Sequence, residues 1–304
     1  MSPLGISGVW PILPTPFHDD ESLDLDSLQR TIRFMAGVGV QGVTVLGVLG
    51  ESNRLTDAER ERLVTAAVAA AGTLPVIVGA SHPGTRATVD LAAMARERGA
   101  AAVMVAPSYE PVPSDERVLD YYRRVGASAG IPLVLQDHPA STQVHMPVPL
   151  VARIAAEVPA VACIKEEGVP TPARIDGLRR ALARPVPILT GLGALYGLFD
   201  LEQGSDGFNT GFAFPEVLLA LVAAGRAGDW PRARELYRRF LPLIVFEQQP
   251  GVAVRKEIFR RRALLASNRV RHPGAALAPS AAAQLDTLLA WILGDADLAA
   301  PLAV

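Results

Sequence analysis

The sequence predicts an α/β protein, a (β/α)8 TIM barrel followed by a C-terminal three-helix extension. Three observations lead there. Short runs rich in Val, Ile and Leu alternate with amphipathic stretches, and the alternation repeats eight times. The short runs lack polar alternation, as expected of parallel strands buried on both faces. No Gly-x-Gly-x-x-Gly follows the first run, so a dinucleotide-binding doubly wound sheet loses support. Eight units then favour the closed barrel.

The predicted strands are Val9–Leu13, Gly42–Leu46, Pro75–Gly79, Ala101–Ala106, Pro132–Gln136, Ala160–Lys165, Val186–Thr190 and Asp206–Thr210. Between them the helical patterns cover 26–38, 55–72, 85–99, 115–129, 147–157, 171–183, 193–203 and 215–228. Thr56 with Glu59 three residues on, Asp26, and Ser114 with Arg117 nearby supply helix-start signals. Beyond residue 229 the strands stop. Trp230–Phe246, Val252–Ser267 and Ser280–Leu293 read as three helices. The chain therefore divides into a barrel over 1–228 and an extension over 229–304, with Gly294–Val304 expected to be a loose tail.

Composition narrows the function classes. Half of the 304 residues are hydrophobic, enough for a large core. The net charge of −2 and the absence of a basic stripe argue against nucleic acid as a partner. Cys163 is the only cysteine and sits in an apolar run, so it is expected in the core. The five histidines, His18, His82, His138, His145 and His272, show no metal-ligand spacing, and neither a metal nor another cofactor is expected. The first residues lack the basic and apolar regions of a signal peptide. No window approaches the ~20 apolar residues of a membrane span. A cytoplasmic protein is expected.

Only two of the 29 basic residues are lysines, Lys165 and Lys256. Arginine does nearly all the cationic work, and arginine cannot lose its proton to form an imine. Lys165 closes the run Val161-Ala162-Cys163-Ile164, at the carboxyl end of strand six. That end of a barrel is where catalysis sits. An unperturbed lysine amine, with a pKa of ~10.4, is neutral only about once in 2,500 at pH 7. Burial raises that fraction, and the neutral amine is what condenses with a carbonyl. The competing reading is a lysine paired with Glu166 or Glu167.

Four segments resemble the dihydrodipicolinate synthase / N-acetylneuraminate lyase family of class I aldolases. They are GVWPILPTPF at 8–17, GVLGES at 47–52, VACIKEE at 161–167 and GFNTG at 207–211. The resemblance implies a barrel with a helical extension, a homotetramer or homodimer, and a small 2-oxo acid substrate such as pyruvate, handled without metal. It makes Lys165 the Schiff-base residue. It also implies three departures. The hydroxyl pair that binds carboxylate and relays a proton is replaced by Val48 and Leu49, leaving backbone N–H groups to meet an anion. The family's tyrosine at the end of strand five is replaced by Gln136, which has no titratable proton. The arginine that marks true dihydrodipicolinate synthases is replaced by Ser141, which argues against lysine biosynthesis. Tyr109 matches a family tyrosine that reaches across a subunit interface.

The proton work then needs another carrier. His138 lies two residues past Gln136, on the same face of an extended chain, with an ordinary pKa suited to acid–base chemistry. A structural histidine bonded to backbone is the plainer alternative, and Tyr109 from a neighbouring subunit or the substrate's own carboxylate are other candidates for the proton work. Asp137 alternates to the other face and is expected to anchor a loop. Asn209 and Thr210 are candidates for a substrate carboxylate or hydroxyl, against loop-capping hydrogen bonds. Glu51 is expected to be structural. The expected activity is a lyase that joins Lys165 to a 2-oxo acid and makes or breaks a C–C bond. A Schiff-base hydratase or dehydratase and an inactive 2-oxo acid-binding homologue are the alternatives.

Overall fold

The computed structural model describes residues 4–108, 114–248 and 251–304. Among these, eight strands pair in parallel: β1 (Gly8–Val9), β2 (Val43–Val45), β3 (Val76–Gly79), β4 (Ala102–Val105), β5 (Leu133–Asp137), β6 (Val161–Glu166), β7 (Ile188–Thr190) and β8 (Gly207–Phe208). The sheet order runs β1-β8-β7-β6-β5-β4-β3-β2. Closure comes just past β1, where Ile12 bridges Thr44. There the Leu13 N–H donates to Thr44 O at 2.9 Å and the Thr44 N–H to Pro11 O at 2.8 Å. The first strand is shorter than predicted because Pro11, Pro14 and Pro16 bring no N–H to a ladder. Contact with the β8 side still continues, through Trp10 N–H to Phe208 O and Ile12 N–H to Thr210 O, both 2.8 Å.

The helices of the barrel are α1 (Leu25–Val38), α2 (Asp57–Ala71), α3 (Thr85–Glu97), α4 (Asp115–Ser128), α5 (Pro139–Thr142), α6 (Val148–Glu157), α7 (Thr171–Ala181), α8 (Gly197–Glu202) and α9 (Pro215–Arg226). The extension adds α10 (Trp230–Phe246), α11 (Val252–Arg261) and α12 (Pro279–Leu293). Thr56 and Glu59 form a reciprocal capping box at α2, and Ser114 accepts from the Arg117 N–H at α4. At α1 the cap is Asp24, not Asp26; its carboxylate accepts from the Ser27 N–H at 2.9 Å, and Asp26 sits inside the first turn. Each such cap contributes about 1 kcal/mol. No helix among the described residues is long and apolar enough to cross a membrane.

Two apolar clusters hold the fold. A small one fills the barrel and includes Trp10, Ile77, Met104, Val134, Cys163 and Leu189. A large one lies between strands and helices and includes Ile164 and Ile188. Cys163 and Ile164 thus face opposite sides of β6, and the alternation sends Lys165 inward and Glu166 outward. The tail is not loose. Leu298, Leu302 and Val304 pack against the large core. Arg262, buried and paired with Glu216, donates from Nε to Leu298 O at 3.2 Å, and the Leu302 N–H donates to Glu216 Oε1 at 3.1 Å. A buried ion pair needs its remaining donors and lone pairs met, and the tail backbone meets them.

Candidate active site

Lys165 ends the inner face of β6 beside its ladder partners, Gln136 on β5 and Leu189 on β7. It is 2 % exposed. The next inward residue is Glu167, and its Oε2 lies 3.1 Å from Lys165 Nζ. The expectation of an unpaired amine is therefore corrected: the side chain is ion-paired, at the wall of a cavity. The same Oε2 accepts from Gln136 Nε2 at 2.8 Å, and Oε1 accepts from the Leu192 N–H at 3.2 Å. Burial alone pushes the Glu167 carboxyl up. Lys165, His138, Gln136 and the Leu192 N–H outweigh burial, and the net displacement is downward. Gly191 makes room for this arrangement, since a Cβ there would come within 2.1 Å of Glu167 Oε1.

The outward residues do a separate job. Asp137 and Glu166 both pair with Arg174, and Arg174 also donates to Met146 O. Burial, with the other carboxyls adding to it, pushes Asp137 up to about 7. Asp137 thus anchors the β5 and β6 ends to α7 from outside the barrel, as its alternation predicts.

The cavity over Lys165 measures about 210 Å³. Ile12, Val48, Leu49, Gln136, His138, Glu167 and Thr210 line it, and so do Glu247, Gln248 and Arg255 from the extension. A second cavity of about 210 Å³ shares Val48 and Gln136 with the first and continues past Ser81, His82 and Ser108. A larger groove of about 750 Å³ lies elsewhere, along Gly130, Pro132, Ala160 and Arg184 near the amino ends of β5 and β6, which is not the chemical end of a barrel.

His138 caps the short α5, and its Nδ1 is bonded to Ser141 Oγ at 2.6 Å. Burial pulls its pKa below the ordinary value, more strongly than Glu167 lifts it. The Gly50 and Glu51 N–H groups are spent inside the 47–51 turn, on Gly47 O and Val48 O. Those of Val48 and Leu49 have no such partner among the described residues, as the first positions of a helical turn lack one.

Thr210 Oγ1 lines the cavity but accepts from the Gly193 N–H at 2.8 Å. Asn209 is not on the cavity wall. Its amide donates to Trp10 O at 3.0 Å and Thr44 Oγ1 at 2.8 Å, stitching β8 to the first two strands. The expectation that Asn209 meets substrate is corrected on that ground: its donors are committed below the cavity floor. Tyr109 lies outside the described residues.

Glu51 is structural in its contacts. It pairs with Lys256 and Arg54 and accepts from the Arg271 N–H. Three cavity residues escaped the sequence reading as functional groups. Glu167 had a signal, its position two past Lys165 in a strand. Glu247 and Arg255 had none, because they arrive from a helical pair far along the chain.

The profile of the dihydrodipicolinate synthetase family matches residues 5–291. An L-2-keto-3-deoxyarabonate dehydratase of Azospirillum brasilense is 35% identical over 288 residues, covering 91% of this chain and 92% of that protein. A crystal structure of dihydrodipicolinate synthase from Rhodopseudomonas palustris superposes with a TM-score of 0.91 at 38% identity, covering 95% of this chain and 98% of that one. YagE of Escherichia coli K12, a prophage protein of the same family solved in complex with pyruvate, superposes with a TM-score of 0.87 at 27% identity, covering 94% and 98%. The chain belongs to the dihydrodipicolinate synthetase family, and with it to the lyases that work through a lysine Schiff base.

Proposed function

We propose that this protein is a dehydratase of a 4-hydroxy-2-oxo acid, with Lys165 as the Schiff-base lysine and Glu167 as the proton carrier. Lys165 Nζ adds to C2 of the substrate, water leaves, and a protonated imine forms. Glu167 takes a proton from C3, and the C–H electrons move toward the imine to give an enamine. The enamine expels the C4 hydroxyl, which takes the proton back from Glu167 and departs as water. A second water hydrolyses the unsaturated imine and frees Lys165. The net change is loss of one water.

The observation that carries this reading is the 3.1 Å separation of Glu167 Oε2 from Lys165 Nζ. A base touching the imine nitrogen is within reach of C3, one bond beyond the imine carbon, and general-base action needs such contact. Gln136 holds the carboxylate in place and has no proton to exchange. His138, with its pKa lowered, is a neutral neighbour suited to holding the leaving water. Val48 and Leu49 leave the near wall apolar, and the adjoining cavity has room for a chain longer than pyruvate. The dehydratase similarity over nearly the full length supports the same choice.

The enamine also serves C–C bond making or breaking, and the likeness to synthases favours that second reading. Borohydride reduction with pyruvate or a 4-hydroxy-2-oxo acid should leave a mass adduct on Lys165. Products then separate the two readings: a dehydrated oxo acid for one, an aldehyde plus pyruvate for the other. No adduct across a panel of 2-oxo acids would overturn both. We further place the protein in the cytoplasm as an assembly of two or four copies, supported by the family resemblance at Tyr109. A monomer in light scattering would refute the assembly.

A further inference from the structure

We infer that Arg255, delivered by the C-terminal extension, is the residue that grips the carboxylate of the 2-oxo acid. The inference rests on the Schiff-base reading of the same cavity. The family resemblance assigns the carboxylate to a hydroxyl pair, and this chain has Val48 and Leu49 there. Two unpartnered backbone N–H groups remain, with no cationic partner in that turn for a buried anion. A carboxylate moved out of water is costly to hold unless hydrogen bonds or an opposite charge meet it.

Arg255 supplies that charge. Its side chain is 2 % exposed and lines the Lys165 cavity. Nε donates to Glu247 Oε2 at 3.0 Å. Nη1 is buried and has no hydrogen-bond partner among the described residues. A buried donor left unmet is costly, and of the buried side-chain atoms without a partner among the described residues, Arg255 Nη1 is the one whose residue lines the Lys165 cavity. Its position is on the correct side of the cavity. A Cβ added to Gly211 would lie 2.6 Å from Leu49 Cδ1 and 3.1 Å from Arg255 Nη1. The guanidinium therefore packs against the same glycine as Leu49, beside the turn that carries the Val48 and Leu49 N–H groups.

Glu247 fixes the guanidinium without spending its fork. Both Glu247 oxygens also accept from the Ala213 N–H, at 3.1 and 3.2 Å, which ties the pair to the loop after β8. The two cavity cations thus divide the substrate. Lys165 takes the ketone carbon, and Arg255 takes the carboxylate next to it, with the planar fork that suits that group.

The test compares pyruvate with methyl pyruvate, which keeps the ketone and lacks the anion. Borohydride trapping on Lys165 is titrated for the wild type, for Arg255→Lys, and for Arg255→Gln combined with Glu247→Gln so that no lone charge is buried. In the double variant the half-saturating pyruvate concentration should rise about 10- to 100-fold, with methyl pyruvate changed less than about twofold. Arg255→Lys keeps the charge but loses the fork, and should shift pyruvate alone by a smaller factor; it decides the matter if the double variant does not fold. Equal losses for both ketones, or an unchanged preference for pyruvate, would overturn the role of Arg255 and leave the Schiff base standing. A wild type that traps neither ketone would overturn both.

Discussion

At the residue scale the site is built on parity. β6 sends Lys165 and Glu167 inward and Glu166 outward, so one strand end makes both an ion pair in the cavity and an anchor to Arg174 outside it. If Glu167 moves the proton, Glu167→Gln should keep imine formation while turnover falls about 10²- to 10⁴-fold. Borohydride trapping and product release read the two separately; loss of both together would mean that Glu167 only shapes the pocket. Lys165 was legible because its position at a strand end needs only the strand pattern. Glu167 was half legible, since the same alternation places it, but its contact with Gln136 depends on how β5 and β6 lie in register. Asn209 and Thr210 show the limit of such reading. Adjacent residues alternate faces, and only coordinates tell which one reaches the cavity and which one is used between strands.

At the scale of elements, repeat count and helix starts were readable, because hydrophobic period and caps are local properties. The short α5 was not, since four residues carry no period, and strand lengths were overestimated where prolines interrupt the ladder. The least legible element is α11. Its neighbours Arg255 and Lys256 point in different directions around the helix and serve two places. Arg255 reaches the cavity, while Lys256 pairs with Glu51 in the turn after β2, donates to Arg269 O, and stands 4.4 Å from the Phe17 ring centroid. Glu51 has the left-handed backbone angle φ 53°, which non-glycine residues rarely adopt. The Lys256 pair thus holds the turn that presents the Val48 and Leu49 N–H groups. Lys256→Ala should cost about 1–3 kcal/mol in urea denaturation, because the buried Glu51 keeps Arg54 on one oxygen but loses its partner on the other. Adding Glu51→Gln should recover most of that loss; a single-variant cost near zero would show that the pair is not a tie.

At the scale of the whole molecule, barrel and extension share buried contacts, since the extension lines the cavity and its tail closes the Arg262–Glu216 pair. The buried charges that join them give folding an unusual pH dependence. Burial pushes Glu247 and Asp137 up to about 7 and Asp200 up to about 6. A carboxyl raised on folding binds its proton more tightly in the folded state. Its contribution is fully present below the unfolded value, ~4, and is lost as pH climbs through the folded one. Glu59, held by Arg271, and Glu257, held by Arg260 and Arg261 against burial, are lowered to about 2. Their contributions are present above ~4 and vanish as pH falls toward 2. His138, lowered by burial, opposes the first group near the top of the window, but one imidazole faces three carboxyls. Stability should therefore peak near pH 4 and decline toward pH 7, where many proteins are still near their best. Glu247→Gln isolates one contributor. Whatever its offset at pH 5, the stability of the variant relative to the wild type should rise by on the order of 2 kcal/mol between pH 5 and 7, because only the wild type must surrender that proton. Urea midpoints for both proteins across this range provide the measurement, and parallel curves would show that the Glu247 carboxyl is already ionised beside Arg255 throughout.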